Sequence, residues 1–498
     1  MTLNKAAQRT LTALFFAVVA AVYGVAWKAP SLGLYHDDAI YLVTAKAIAA
    51  SHGYTIESLP APIPQTKYPP LFALLLSLFV RVSEQAQWLK LLPLLCTAAW
   101  LAVAYKLLRK MGAEPWSALF LVGLTAASPV VVYLGTNLLS EPLFALLITA
   151  ALLALLDDRM FLAGVLAGLA LLTRTAGLPL IAACALTLIV RGRFRRAVVF
   201  TATAVVLAGP WFAWALVHAP ADAYYGGGNY AASSVLSHLA ASEKATVIGS
   251  NVLFLLSGPY ALLGGVTDLY ASLLTFCLLV WCLWKRRQVV PDLFLMLYCG
   301  MLLLWPGPPV RFLAPVLPLV LWIFWRVFRN IPVREALAAI VLILALLPLW
   351  ASTRLLPVTL RTGEFPTSRR EPNDWKEMNK LFAFIRENTA PDAILAANID
   401  PLFYLKTGRK AVRGYVPDGY KTFYQPGGQT VTPDQLSSAL RRDGVTYVAL
   451  TPDRDFAESP AFHKSVEALE RGGLLEPVAI PGLAPDYRLL RTAGGFAR

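Results

Sequence analysis

Apolar runs long enough to cross a bilayer recur from about residue 11 to residue 350, separated by short polar loops. A hydrocarbon core about 30 Å thick needs roughly 20 apolar residues per helix. Backbone polar groups in lipid must be satisfied internally, so such runs read as helices rather than open sheet. The pattern predicts spans at about 11–29, 88–106 and 116–134, and a fourth from Glu141-Pro142 to near Asp157. Two short spans follow within 161–190, and further spans lie at 197–217, 266–284, 291–305, 312–326 and 335–350, about eleven in all. The stretch 251–264 reads as re-entrant or interfacial.

Two segments depart from this pattern. Residues 30–85 form a long interruption after the first span, within which 38–50 can form a helix at the membrane interface with Ile40, Val43 and Ala47 on one face. Pro60, Pro62 and Pro64 then force an extended passage before a helix from Leu71 to Val82. From Ser352 the composition becomes that of a soluble protein. Helices are predicted at 373–387, 432–442 and 460–470, and strands at 393–397, 445–450 and 486–491. Helices alternating with strands indicate a small α/β domain. The expected division is therefore a membrane domain over 1–351 with an outer-face loop at 30–85, and an extracytoplasmic α/β domain over 352–498.

Charge fixes the expected orientation. Lys5 and Arg9 precede the first span, which is long for a secretory signal and reads as uncleaved. Lys106, Arg109 and Lys110, then Arg191, Arg193, Arg195 and Arg196, then Lys285, Arg286 and Arg287, then Arg326, Arg329 and Arg334 all fall on one side of the membrane in this parse. By the positive-inside rule that side is cytoplasmic, so the N-terminus lies inside and residues 30–85 and the C-terminal part lie outside. The net charge of +14 is thus spread over orientation signals rather than gathered in a nucleic-acid patch. Charged residues make up only 15% of the chain and mean hydropathy is +0.58, which excludes an ordinary soluble protein. The five cysteines sit in apolar runs without metal-type spacing and read as buried thiols.

Candidate chemistry gathers at the outer face. Asp37 and Asp38 stand side by side after the first span; they read as a helix N-cap or as a general base towards an acceptor hydroxyl or amine. Lys67, before Tyr68-Pro69-Pro70, is either a snorkelling lysine or a phosphate ligand. Arg174 and Arg311 extend no cytoplasmic cluster, and a guanidinium within apolar sequence needs protein or an anion beside it. Glu141 reads as a first-turn helix acid or as a further outer-face carboxylate. Cations to hold a phosphate and acids to activate an acceptor describe one expected pocket. There is no P-loop, GxSxG or HExxH, and Gly226-Gly227-Gly228 reads as a flexible loop. His36 and His52 share the outer loop, but no metal site is assigned to them.

Five elements in order resemble the GT-C membrane glycosyltransferases of the protein mannosyltransferase and lipid A aminoarabinose transferase type, the family 39/83-like group. They are Asp37-Asp38 followed by Tyr41, Lys67-Tyr68-Pro69-Pro70-Leu71, Ser140-Glu141-Pro142-Leu143, Gly164 through Arg174, and Arg311-Phe312 with Pro315 and Pro318. The resemblance covers about residues 1–350. It implies an inverting transfer of a sugar from a polyprenyl-phosphate donor to an extracytoplasmic lipid, glycan or protein acceptor, in the inner membrane. Asp37 and Asp38 would be the catalytic acids, with Asp38 standing where relatives more often carry Glu. Lys67, Arg174 and Arg311 would bind the donor phosphate, while Glu141, Tyr41 and Tyr68 would position donor or acceptor. Divalent-metal dependence varies among such enzymes, and no cofactor is firmly expected. The competing reading is a polytopic transporter or flippase of a lipid-linked or anionic substrate, against which stands the lack of an inverted repeat.

Overall fold

The structure, a computed structural model, describes residues 5–219, 237–265, 272–273, 275, 289–328, 346–366, 373–416, 418–425, 431–452 and 459–494. Two compact units make up the chain: residues 1–28, 90–212 and 248–357 form the first, and 29–89, 213–247 and 358–498 the second.

Apolar helices build the first unit. Among the described residues, Arg9–Lys28, Ala86–Lys110, Phe194–Val217, Ala241–Leu262 and Pro309–Arg326 are long and apolar enough to cross a membrane. Leu14, Leu95 and Val206 lie exposed on such helices, and Phe161 and Val190 on shorter apolar ones. Apolar surface of this extent turned outward marks a membrane-facing exterior. The architecture is that of a polytopic helical membrane protein. The spans expected at 266–284 and 335–350 lie largely outside the described residues, as does Gly226-Gly227-Gly228.

Two elements differ from the sequence reading. The stretch 251–264 is mostly the C-terminal half of the long helix Ala241–Leu262 rather than a short re-entrant segment. Asn251 interrupts the apolar pattern there, yet it is buried and donates to the Leu303 and Trp305 carbonyls at 3.0 and 2.8 Å. The span expected at 116–134 is broken into Pro115–Ala127 and Pro129–Thr136, bent by 67°. Pro129 has no N–H to continue the ladder, and the Ser128 hydroxyl accepts from Val131 N instead.

The apolar run 161–190 also breaks where expected, into Met160–Thr173 and Leu178–Val190 around a short 3-10 turn, Thr175–Gly177. Gly164 explains how the first of these helices packs: a Cβ there would meet the Phe200 carbonyl at 2.6 Å, so only glycine allows the approach to helix Phe194–Val217.

In the second unit, strands β1 (Thr55–Ile56) and β2 (Ile63–Pro64) pair antiparallel. A five-stranded sheet follows from β3 (Ile394–Ala396), β4 (Lys410–Val412), β5 (Tyr447–Leu450), β6 (Leu475–Val478) and β7 (Arg488–Thr492), in the order β4-β3-β5-β7-β6. β3 is parallel to β4 and β5, while β7 runs antiparallel to β5 and β6. Helix Pro433–Arg442 opens with a capping box between Thr432 and Gln435.

Residues 29–89 are built into this sheet. Ala411 N on edge strand β4 donates to the Ser58 carbonyl at 2.8 Å, which covers an otherwise open edge. Ile40, Val43, Ile56 and Leu59 share one core with Ala396, Val412, Val448 and Phe462, while Leu34 joins Leu395, Leu402 and Phe403 in another. Helix Asp37–Ala49 therefore does not lie on a lipid interface. Its apolar face, expected to meet the membrane, is covered by protein, and Ile40, Val43 and Ala47 are all buried.

Candidate active site

Two groups of the expected residues assemble, one in each unit. In the first unit the centre is Glu141, the opening residue of helix Glu141–Leu156 and 1% exposed. Its Oε1 lies 2.9 Å from Arg311 Nη2 and 3.2 Å from Arg174 Nη1. Arg174 reaches it because the chain turns extended there (φ −150°, ψ 137°) between Met160–Thr173 and the 3-10 turn. Arg311 sits on the 3-10 helix Pro309–Val316, which Tyr298 pins by donating its hydroxyl to the Phe312 carbonyl at 2.8 Å.

Both guanidinium groups stack on one ring, Arg174 Cζ at 5.2 Å and Arg311 Cζ at 5.1 Å from the Phe312 centroid. Arg174 Nη1 also donates to Ser140 Oγ at 2.9 Å. One buried carboxylate thus holds two guanidiniums side by side. The carboxylate is wholly buried, whereas the arginine side chains remain 14–15% exposed. Such an arrangement orients two forked donors for an anion. Sequence reading passed over the roles of Ser140 and Phe312, and also Lys90, wholly buried ahead of helix Leu91–Lys110.

In the second unit Asp37 begins helix Asp37–Ala49, and its Oδ1 accepts the Tyr68 hydroxyl at 2.6 Å. Tyr41 packs against Tyr68 with ring centroids 5.0 Å apart, and Lys67 Nζ lies 5.4 Å from the Tyr68 centroid. Tyr54 fixes this stretch by donating its hydroxyl to the Tyr68 carbonyl at 2.7 Å. Asp37, Tyr41, Lys67 and Tyr68 thus come together from the acidic pair and the Tyr-Pro-Pro element.

Asp38 points elsewhere. Its Oδ2 accepts Gly33 N at 2.8 Å, and its Oδ1 accepts Tyr35 N and Ala39 N, each at 2.9 Å. Gly33 supplies one of these donors from a left-handed backbone (φ +80°) that only glycine adopts cheaply. Burial pushes the Asp38 carboxyl up to about 6, against the opposing pull of the three backbone N–H groups. Asp37 is partly exposed and turned towards a phenol, while Asp38 is buried and saturated by backbone.

One further group was not foreseen. His36 Nε2 lies 3.4 Å from Asp400 Oδ1, and Arg413 Nε lies 4.0 Å from the same oxygen. All three side chains are buried. Burial holds the His36 imidazole down to about 4, so it is neutral at pH 7. His36 and Asp400 are far apart in sequence, and no local spacing signals the pair. Among the described residues no three His, Cys, Asp or Glu side chains gather as a metal-holding group.

Comparison with known proteins gives this geometry its class. Residues 66–306, which include Lys67, Glu141 and Arg174, match the model of glycosyltransferase family 87. The chain shares its fold with the crystal structure of ArnT from Cupriavidus metallidurans in the apo state, at 14% identity and a TM-score of 0.51 over 99% of each chain. ArnT from the same organism bound to undecaprenyl phosphate matches at 15% identity and a TM-score of 0.50, over 98% of this chain and 99% of that one. No curated protein sequence matches. The chain is a GT-C membrane glycosyltransferase. The transporter reading is not favoured.

Proposed function

We propose that the enzyme transfers a sugar from a polyprenyl-phosphate donor to an extracytoplasmic acceptor, with inversion at the anomeric carbon. The observation that carries this reading is the pair Arg174 and Arg311, held by buried Glu141 and stacked on Phe312. Two forked cations side by side suit a lipid phosphate, and they would stabilise it as a leaving group. ArnT bound to undecaprenyl phosphate has the same fold, which supports a polyprenyl phosphate as the lipid.

Asp37 takes the proton from the acceptor hydroxyl or amine as that atom attacks the anomeric carbon, and the bond from carbon to the phosphate oxygen breaks. Polyprenyl phosphate leaves. Lys67 serves the same phosphate, Tyr41 and Tyr68 position the reacting partner, and Glu141 orients the arginines. Asp38, saturated by backbone donors, shapes the turn beneath Asp37 and takes no proton from substrate.

The full arrangement has about eleven spans in the inner membrane and a cytoplasmic N-terminus. The domain over 352–498 is an extracytoplasmic α/β domain, and the loop 30–85 lies on the same side. The positive-inside pattern supports this orientation.

The test is direct. Purified enzyme in vesicles is given undecaprenyl-phosphate-linked sugars, and products are read by mass spectrometry. Envelope lipids and glycans compared with and without the protein then identify the acceptor. Substrate movement across the vesicle with no glycosylated product would sink this reading.

A further inference from the structure

His36 is the one residue before Asp37, and its backbone is unusual. It has φ 59° and ψ −54°, and Asp37 N donates back to the Tyr35 carbonyl at 2.6 Å. That closes a three-residue γ-turn of the strained hand, which side chains with a Cβ rarely adopt. Strain of this kind persists only where the surroundings over-determine it, and it gathers at functional sites.

Here the surroundings hold the turn from two sides. Asp38 draws in the amides of Gly33 and Tyr35 just before it. From the C-terminal part of the same unit, Asp400 at the start of helix Asp400–Thr407 meets the His36 ring. Asp400 is wholly buried, and Arg413 stands behind it, donating Nε and Nη2 to the Asn398 carbonyl at 3.0 and 2.8 Å. Tyr415 donates its hydroxyl to Asn398 Oδ1 at 2.9 Å and closes the network. His36 Nε2 faces this buried carboxylate at 3.4 Å, an electrostatic contact between ring and oxygen.

We propose that the γ-turn at His36, clamped by Asp400 with Arg413 behind it, is the device that aims Asp37, making His36 and Asp400 positioning residues for the transfer. This rests on the assignment of Asp37 as the acceptor-activating acid. It gives the C-terminal part of the unit a role in the reaction rate, although it supplies no group to the substrate.

The experiment compares His36→Gln, His36→Gly, Asp400→Asn and Asp37→Asn in vesicles, with kcat and the donor KM measured separately and melting followed in detergent. Glycine relaxes the turn but removes the clamp, whereas glutamine keeps an N–H donor at similar reach. Misplacing a reacting group by about 1 Å can cost ~100-fold. His36→Gly and Asp400→Asn should therefore lose roughly 10- to 100-fold in kcat with little change in donor KM, and His36→Gln should recover most of it. Wild-type kcat in His36→Gly, with Asp37→Asn inactive, would overturn the clamp and leave the acid assignment standing. Full activity in Asp37→Asn would instead remove the assignment on which the clamp rests. Should Asp400→Asn fail to fold, the contrast between glutamine and glycine at position 36 decides alone.

Discussion

Tyr68 donates its phenolic hydrogen to Asp37 Oδ1 across 2.6 Å, joining two elements of the 29–89 segment that lie far apart in sequence. The bond restrains the rotation of the carboxyl group.

Replacing Asp37 by Asn keeps the shape and removes the proposed base. General-base catalysis contributes typically 10²–10⁴-fold, so transfer should fall by about that factor with folding intact. Tyr68→Phe removes only the restraint. A hydrogen bond to a charged group is worth about 1.5–3 kcal/mol, and a loss of roughly tenfold in kcat is expected. Initial rates with a defined lipid-linked sugar check both.

Arg174→Ala and Arg311→Ala should each lower kcat/KM for the donor by about 10²–10³-fold, the range for losing one preorganised donor. Because Glu141 holds both, the double variant should lose less than the product of the singles. Glu141→Ala removes the buried carboxylate from between two part-buried guanidiniums, and removing one partner of a buried pair costs about 3–5 kcal/mol. Donor titrations and melting curves separate the binding loss from the folding loss.

Asp38→Ala should act on stability first. It strips the acceptor from Gly33, Tyr35 and Ala39 at once, and each orphaned buried donor costs about 1–3 kcal/mol. A sharp fall in melting temperature or in folded yield is the expected result. A fully stable but inactive Asp38→Ala would instead mark Asp38 as chemically active.

Acid should pull on this segment from two directions. His36, held down to about 4 by burial against its ordinary 6.5, refuses a proton that the unfolded chain accepts. Its contribution therefore makes the fold less stable as pH drops from 6.5 towards 4, by about 2 kcal/mol at pH 5 when each unit is worth ~1.4 kcal/mol. Asp38, pushed up to about 6 by burial, takes up its proton before the unfolded chain does, so its contribution rises as pH falls from 6 towards 3.8. The His36→Gln variant should thus gain melting temperature relative to the parent as pH falls from 7 to 5, and Asp38→Asn should lose it. Arg413, Lys67 and Asp400 face His36 and are unchanged in both comparisons.

Which candidate residues would come together was partly legible in the sequence, because they break strong local patterns. Arg174 stands in an apolar run where only a partner makes it tolerable, and that partner is Glu141. The acidic pair and the Tyr-Pro-Pro element likewise meet, through Asp37 and Tyr68. Periodicity showed that helix Asp37–Ala49 has an apolar face, but periodicity does not say whether lipid or protein covers it. Strands β4 and β6 were missed because they are short and carry Lys410, Glu476 and Pro477. The His36–Asp400 contact had no sequence signal at all, since tertiary structure alone brings the two together.

The sheet edge where Ala411 meets Ser58 also sets a timetable for synthesis. Residues 29–89 leave the ribosome early, yet the core that buries Ile56 and Leu59 is finished only by residues of the last quarter of the chain. At about 5–20 residues per second, making residues 90–357 alone takes on the order of 15–50 s. Throughout that interval the acidic turn has no sheet to rest on. The turn at Asp37 therefore completes its packing only when translation is nearly finished, and a chain interrupted late leaves it without that support.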